Sequence, residues 1–184
     1  LLPGNRVTVL TRNPDDPHWS APGLSFRYGD FSQPETLRGV ASGVELVYHL
    51  AGEIRRRDRL DIVNGAGSAA LVDECIERGV QGIVYLSSVG VIGARNARER
   101  VSEDTPCTPR SPYERSKLDG ELAVLKADGV NGLMTWSVRP TIVYGEFCPP
   151  QHDSLLRITR FVRRGWPVLL EPQALSSYVY AGDI

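Results

Sequence analysis

Short apolar runs alternate along this chain with longer amphipathic stretches, and each run has the length of a β-strand. Five of these runs predict strands at Arg6–Thr11, Leu24–Tyr28, Glu45–Leu50, Ile83–Leu86 and Leu133–Val138, with strand-like pieces at Val168–Leu170 and Ser177–Tyr180. Helical spacing predicts helices at Pro34–Val40, Asp61–Arg78, Pro112 to about Asp128, and Ser154–Arg163. This alternation favours an α/β, Rossmann-like fold with a mainly parallel sheet and helices on both faces.

The apolar positions also predict which face of each long helix is buried. On Asp61–Arg78 the expected inner face carries Ile62, Ala66, Ala69, Val72, Cys75 and Ile76. On the helix from Pro112 the expected inner face carries Leu118, Leu122 and Leu125. The segment Gly90–Arg110 is polar and is expected to be irregular, and the arginine-rich segment Glu53–Arg59 is expected to be a solvated loop.

Composition narrows the class of protein. The 184 residues carry a net charge of −1, which argues against a broad nucleic-acid or anionic-membrane surface. No apolar run is long enough to span a bilayer, so the expected location is cytoplasmic, with no membrane partner. The three cysteines are widely spaced and form no Cys/His cluster, so no metal site and no disulfide framework are predicted.

Tyr113 and Lys117 are the first candidates for chemistry. Pro112 suits the first turn of a helix, and residues four apart share a helix face. A cation close to a phenol can lower its pKa from about 10 by roughly 1–3 units, which would suit proton transfer. The same spacing also occurs in ordinary surface pairs, so the interpretation needs a partner hydroxyl and a nucleotide site elsewhere in the chain.

Small or polar residues follow each predicted strand. In an open α/β sheet the ligand binds outside the carboxyl ends of the strands, so these residues are candidates for a site. They are Thr11-Arg12, Asp30-Phe31, Leu50-Ala51-Gly52, Ser87-Ser88 and Arg139-Pro140-Thr141.

Six segments together resemble one family. They are Tyr48–Gly52, Val63–Ser68, Val84–Gly93, Ser111–Lys117, Val138–Gly145 and Tyr178–Asp183, in that order over nearly the whole chain. The chain resembles an extended short-chain dehydrogenase/reductase, of the NAD(P)-dependent epimerase/dehydratase family. The resemblance implies one NAD(P)-binding Rossmann-like domain over residues 1–184.

The resemblance also implies residue roles. Ser88 matches the serine that hydrogen-bonds the substrate oxygen, Tyr113 the acid/base, and Lys117 the lysine that holds the nicotinamide ribose and depresses the tyrosine pKa. Asn64 matches a position in the helix behind the active site, although an amide there can also serve helix packing. The implied cofactor-binding positions, besides Tyr113 and Lys117, are Arg12, Asp30, Phe31, Leu50, Ala51, Gly52, Ser87, Pro140, Ile142 and Val143. Ser87 and Ser88 would otherwise form a turn at the strand end.

The choice between NAD and NADP rests on Arg12. An acid at this strand end would bond the ribose 2′-hydroxyl, whereas an arginine accommodates a 2′-phosphate, so Arg12 favours NADP. Asp15 and Asp16 lie close by and keep NAD open. The run Arg55–Arg57 would either contact an anionic substrate or stay solvated.

One departure from the family pattern concerns the glycine-rich turn G-x-x-G-x-x-G, which is absent from this sequence. That turn binds the pyrophosphate with backbone N–H groups at a helix N-terminus. We therefore expect a fragment, truncated at both ends, that lacks the first strand and most of the substrate-binding part. Such a fragment would bind cofactor poorly and would itself be inactive.

The resemblance predicts a hydride-transferring enzyme with a small-molecule substrate. A nucleotide-sugar epimerase or dehydratase is favoured. The alternatives are an NADPH-dependent ketone or aldehyde reductase and a non-catalytic NAD(P)-binding regulator. The family resemblance also allows a homodimer for the whole protein.

Overall fold

The computed structural model describes residues 4–15, 23–94, 99–145, 154–166 and 177–183, and these residues alternate between strands and helices. The strands are β1 (Val7–Thr11), β2 (Leu24–Tyr28), β3 (Leu46–His49), β4 (Gly82–Leu86), β5 (Met134–Val138), β6 (Ile142–Tyr144) and β7 (Tyr178–Tyr180). The α-helices are α1 (Gly67–Arg78), α2 (Pro112–Lys126) and α3 (Ser154–Arg163). Shorter 3₁₀ turns occur at Pro34–Leu37, Arg57–Arg59, Val89–Ile92, Val130–Gly132 and Ala181–Asp183.

Every strand pairing in the described part of the chain is parallel. β1 pairs with β2, β4 lies between β3 and β5, and β6 pairs with β7. In the three-stranded sheet, Val84 of β4 lies opposite Tyr48 of β3 and Trp136 of β5. The expected α/β fold with parallel strands is confirmed. Strand β6 was not predicted, because Ile142–Tyr144 is only three residues long.

The apolar core lies between the three-stranded sheet and the helices α1 and α2. Its central side chains are Leu37, Leu71, Val72, Cys75, Val80, Ile83, Tyr85, Val124 and Leu133. Helix α1 ends at Gly79, which adopts φ 67° and donates its backbone N–H to the carbonyls of Cys75 and Ile76. This left-handed ending suits glycine and returns the chain directly to β4.

The predicted inner face of the first long helix is wrong in its first turns. Residues Asp61–Ala66 form a π-helix before α1, so each turn there contains an extra residue. The extra residue rotates the helix face, and Asn64 is buried while Ile62 is exposed. Further along, Val72 and Cys75 are buried as predicted.

The predicted inner face of α2 is also wrong. Leu122 is 43% exposed and Leu125 is 39% exposed. The buried positions are instead Ser116, Lys117, Gly120, Glu121 and Val124. Helix α2 therefore turns a largely polar face toward the sheet, and this polar face carries the candidate catalytic lysine.

Three smaller differences concern short segments. The helix predicted at Pro34–Val40 is a single 3₁₀ turn that ends at Leu37. The segment predicted to be irregular after Gly90 contains a 3₁₀ turn whose Val91 and Ile92 are buried. The predicted strand at 168–170 lies outside the described residues. Among the described helices, none has both the length and the apolar character needed to cross a membrane.

Candidate active site

The N-terminus of α2 is fixed by a capping box. The Ser111 hydroxyl accepts a hydrogen bond from the backbone N–H of Glu114, and the Glu114 carboxylate accepts one from the backbone N–H of Ser111. Pro112 occupies the first turn, as the sequence predicted. These contacts set where the helix begins, and they therefore fix the position of Tyr113.

Ser88 and Tyr113 meet at the carboxyl end of β4. The Ser88 side chain begins the 3₁₀ turn Val89–Ile92 and accepts a hydrogen bond of 3.2 Å from the Gly90 backbone N–H. The Tyr113 phenol is a close neighbour of the same hydroxyl. The two hydroxyls that the sequence proposed as a pair therefore lie near each other.

The neighbouring backbone holds this strand end in place. The Ser87 N–H donates to the Val138 carbonyl at 2.7 Å, and the Val89 N–H donates to the Pro140 carbonyl at 3.0 Å. Ser87, Ser88 and Pro140, all predicted site residues, thus lie side by side at the ends of β4 and β5.

The sequence predicted that Lys117 lowers the pKa of Tyr113, and for the chain by itself this prediction is wrong. Burial raises the pKa of Tyr113, and the neighbouring Ser88 hydroxyl offsets only part of that rise. The phenol is therefore protonated at neutral pH.

Lys117 is almost fully buried, with a relative exposure of 5%. Its ammonium lies 4.3 Å from the centroid of the Tyr85 ring. Burial lowers the pKa of Lys117 to about 8, and the Glu121 carboxylate one turn later raises it in part. A Cβ atom placed on Gly52 would lie 3.6 Å from the lysine Nζ, so this ammonium lies close to the end of β3.

Asn64 links three segments behind Tyr113. Its Oδ1 accepts from the Glu53 N–H at 2.7 Å, and its Nδ2 donates to the Glu53 carbonyl at 2.9 Å and to the Ser116 hydroxyl at 2.9 Å. The Ser116 hydroxyl in turn donates to the Tyr113 carbonyl at 2.8 Å. Asn64 therefore joins the loop after β3 to the first turns of α2.

His49 was not predicted as part of the site. It is buried at the end of β3, its ring stacks on Phe31 with centroids 4.9 Å apart, and its Nε2 lies 2.8 Å from the Ser68 hydroxyl. Burial lowers its pKa to about 3, and the charge of Lys117 contributes. The ring is therefore neutral at pH 7. Phe31 is packed against it.

A second residue pair that sequence reasoning missed joins α2 to the end of β5. The single Nε–H of Arg139 is shared between the two oxygens of the buried Glu121 carboxylate, at 3.0 and 3.2 Å, and its Nη2 also bonds Oε1. Burial alone would raise the pKa of Glu121, but the hydrogen bonds and the charge of Arg139 bring it below its ordinary value. Glu121 lies one helical turn after Lys117, so the ion pair borders the candidate site.

The predicted cofactor-binding residue Asp30 lies beside Arg59. Its Oδ1 accepts from the Ser32 N–H and from the Ser32 hydroxyl, both at 2.8 Å, and Arg59 lies 3.5 Å away. Burial opposes ionisation, yet Ser32 and the charges of Arg12 and Arg59 lower the pKa of Asp30 below its usual value. Asp30 is thus ionised, with Arg12 near enough to affect it.

The residues predicted to lie beneath a cofactor form an open edge at the end of β3. Leu50, Ala51 and Gly52 are exposed. A Cβ atom on Gly52 would lie 3.3 Å from Asn64 Oδ1, so glycine avoids a tight contact at this edge. This exposed backbone next to a buried cation fits a nicotinamide dinucleotide.

Not every predicted residue joins this edge. Ile142 and Val143 lie on β6, which pairs with β7 rather than with the three-stranded sheet. Arg12 directly follows β1, which pairs with β2 and not with the three-stranded sheet. No cluster of His, Cys, Asp or Glu suitable for a metal ion occurs among the described residues.

Comparisons with known proteins agree with this geometry. Residues 15–184 match the model of the 3-beta hydroxysteroid dehydrogenase/isomerase family. Over 174 residues the chain is 35% identical to mouse 3 beta-hydroxysteroid dehydrogenase type 7, covering 85% of this chain and 46% of the mouse protein.

Solved structures resemble the chain as well. A UDP-glucose 4-epimerase from Thermus thermophilus in complex with NAD superposes with a TM-score of 0.75 at 26% identity, over 96% of this chain and 63% of that one. A UDP-glucose 4-epimerase from Thermotoga maritima gives a TM-score of 0.81 at 22% identity, over 98% and 63%, which supports the fold. The chain thus spans between about half and two thirds of these relatives' length.

Proposed function

Because the chain belongs to the 3-beta hydroxysteroid dehydrogenase/isomerase family, we propose that the whole protein is an NAD(P)-dependent oxidoreductase acting on an alcohol or carbonyl carbon. The observation that carries this proposal is the proximity of the Ser88 and Tyr113 hydroxyls at the carboxyl end of β4, beside the buried Lys117. Two neighbouring hydroxyls at a strand end, where ligands of such sheets bind, can hold one substrate oxygen between them.

Each of the three side chains then has a distinct task. Ser88 donates a hydrogen bond to the substrate oxygen and polarises its bond to carbon. Tyr113, protonated in the chain alone, gives a proton to that oxygen during reduction and takes one during oxidation. When bound, the nicotinamide supplies or accepts the hydride.

Lys117 provides the charge that oxidation requires. Taking a proton from an alcohol needs the phenolate form of Tyr113, which burial disfavours. Lys117, with a pKa of about 8, is mostly protonated at pH 7. Its ammonium near Gly52 is suited both to hold a cofactor hydroxyl and to lower the cost of forming the phenolate.

The family favours a hydroxysteroid-like alicyclic alcohol as the substrate. A nucleotide sugar is the second candidate, because a solved relative at 26% identity is a UDP-glucose 4-epimerase in complex with NAD. The two classes differ in their redox balance. A dehydrogenase reduces one NAD(P) for each alcohol oxidised, whereas an epimerase returns the hydride and shows no net change at 340 nm.

For the cofactor, the same relative favours NAD, while Arg12 at the end of β1 favours NADP. Arg12 lies close enough to Asp30 to lower its pKa. We propose NAD or NADP binding along the ends of the described strands, with NADP preferred if Arg12 reaches the 2′-position.

A homodimer is proposed on the exposed leucines of α2. Leu122 and Leu125 lie three apart on one side of a helix whose opposite side is packed against the sheet. Exposed apolar patches of this kind often mark protein interfaces.

The proposal is tested with Tyr113→Phe in the whole protein. Removing the phenol oxygen should lower kcat about 10²- to 10⁴-fold, the range for general acid–base catalysis, while the NAD(P) dissociation constant changes little. Tyr48→Phe is the matched control, because Tyr48 is 64% exposed on β3. Undiminished turnover in Tyr113→Phe would exclude Tyr113 as the acid/base, whereas NAD(P) binding without turnover in the unaltered protein would favour a non-catalytic NAD(P)-binding protein.

A further inference from the structure

Tyr85 is the largest fully buried side chain of the described core, and its ring lies directly beneath the Lys117 ammonium. The residue has a relative exposure of 0%, and Lys117 Nζ is 4.3 Å from the ring centroid. The face of an aromatic ring attracts a cation, and the attraction is strongest where water is excluded. The ring is therefore placed to hold a charge that burial would otherwise remove.

The orientation of this ring is fixed by contacts at its far end. The Tyr85 hydroxyl donates to the Lys117 carbonyl at 3.3 Å, and the Ser68 hydroxyl lies close by. Ser68 also lies 2.8 Å from His49 Nε2. Gly120 permits this packing, because a Cβ atom there would lie 2.5 Å from the Tyr85 hydroxyl oxygen.

We propose that Tyr85 is a positioning residue for Lys117, whose ring face keeps the lysine ammonium charged and close to Gly52. This inference deepens the proposed function, in which Lys117 must be a cation. It assigns to Tyr85 a part in the site that its buried position in β4 does not suggest.

The other ionisable groups around Lys117 do not titrate in the same range. Burial raises the pKa of Tyr85 far above neutrality and raises that of Tyr113 as well. His49 on β3 has a pKa of about 3, and the pKa of Glu121 on α2 lies below its ordinary value. A titration near pH 8 within this cluster therefore reports on Lys117.

The direct test measures the Lys117 pKa by NMR of lysine labelled with ¹³C at Cε, in the whole protein without cofactor. Residues 1–184 contain only two lysines, and the spectrum of Lys117→Met identifies the Lys117 signal by difference. In Tyr85→Leu, which lacks the ring, the Lys117 pKa should fall by about one pH unit. In Tyr85→Phe, which keeps the ring, it should change by less than about a third of that.

A second pair of variants covers the case in which Tyr85→Leu does not fold. Phenylalanine and 3,4,5-trifluorophenylalanine at position 85 have nearly the same volume, but fluorine weakens the negative ring face. The trifluoro variant should show the lower Lys117 pKa. Equal pKa values in the two ring variants would overturn the proposal, as would an unchanged pKa in a folded Tyr85→Leu.

This readout separates the inference from the proposed function. An unaltered protein that binds NAD(P) but oxidises or reduces no substrate would refute the oxidoreductase proposal without moving the Lys117 titration. A Lys117 pKa that does not respond to the ring would refute the role of Tyr85 and leave the oxidoreductase proposal in place. If both hold, the basic limb of the pH–kcat profile should shift downward in Tyr85→Leu and stay in place in Tyr85→Phe.

Discussion

Replacing Lys117 by methionine should make the protein more stable at neutral pH. The pKa of Lys117 in the folded chain is about 8, against an ordinary value of 10.5. The unfolded chain thus holds this proton more tightly, and stability falls as the pH drops from 10.5 toward 8. At about 1.4 kcal/mol per pH unit, the cost is about 3 kcal/mol at pH 7 and about 1 kcal/mol at pH 10.

Methionine is nearly the same length as lysine and carries no charge, so it removes this cost while filling the space. The expected gain in the free energy of unfolding is about 1–3 kcal/mol at pH 7, shrinking as the pH approaches 10. Urea unfolding between pH 6 and pH 10, followed by tryptophan fluorescence, measures it. The chain has three tryptophans, and one of them, Trp136, lies in β5 of the three-stranded sheet.

The matched control is Lys126→Met, at the exposed end of the same helix. It makes the same substitution without relieving a buried charge, and the loss of a cation near the helix C-terminus should cost a few tenths of a kcal/mol. The prediction fails if Lys117→Met is no more stable at pH 7 than Lys126→Met. It also fails if the gain in the free energy of unfolding does not diminish toward pH 10.

Four further predictions concern other residues of the site and the exposed face of α2. As the pH falls from about 7.5 to 5, the free energy of unfolding should decrease by about 2 kcal/mol, because His49 protonates near pH 6.5 in the unfolded chain and near 3 in the folded one. In urea unfolding, His49→Gln should lose that part of the pH dependence. Glu121→Gln should lower stability by about 2–3 kcal/mol, since it leaves the half-buried Arg139 guanidinium without its anion, and unfolding curves at pH 7 check this. Arg12→Gln should raise the dissociation constant for NADP at least about tenfold and leave that for NAD nearly unchanged if Arg12 contacts the 2′-phosphate; equal effects on both would exclude that contact. Leu122→Glu should shift the proposed homodimer to monomer in analytical ultracentrifugation, and an unchanged mass would move the interface elsewhere.

The sequence predicted the alternation of strands and helices and the parallel pairing, and the family resemblance proposed Ser88 and Tyr113 as a pair. Each depends on a short-range signal: β-branched runs, a Ser-Ser strand ending, and a proline before a Tyr-x-x-x-Lys spacing. Each of these patterns lies within a few neighbouring residues, so it can be recognised in the sequence without knowledge of the tertiary structure.

The pKa of Tyr113 could not be predicted in the same way. The sequence places a cation four residues away, but the structure places that cation over Tyr85 and buries the phenol. Burial and charge act in opposite directions, and only the three-dimensional arrangement decides which prevails. The roles of His49 and Arg139 were missed for a similar reason, since their partners Ser68 and Glu121 lie about 19 and 18 residues away.

The misassigned face of α2 follows from the chemistry that the helix carries. A helix that presents Ser116, Lys117 and Glu121 to the sheet must point its leucines elsewhere, because three polar positions already occupy the inward side. The polar face is costly to bury, and the partners that reduce the cost come from outside the helix: Asn64 for Ser116, the Tyr85 ring for Lys117, and Arg139 for Glu121. The orientation of α2 therefore both exposes its leucines and buries its lysine. A variant that made the inner face apolar would gain stability and lose the cation on which the proposed oxidation depends.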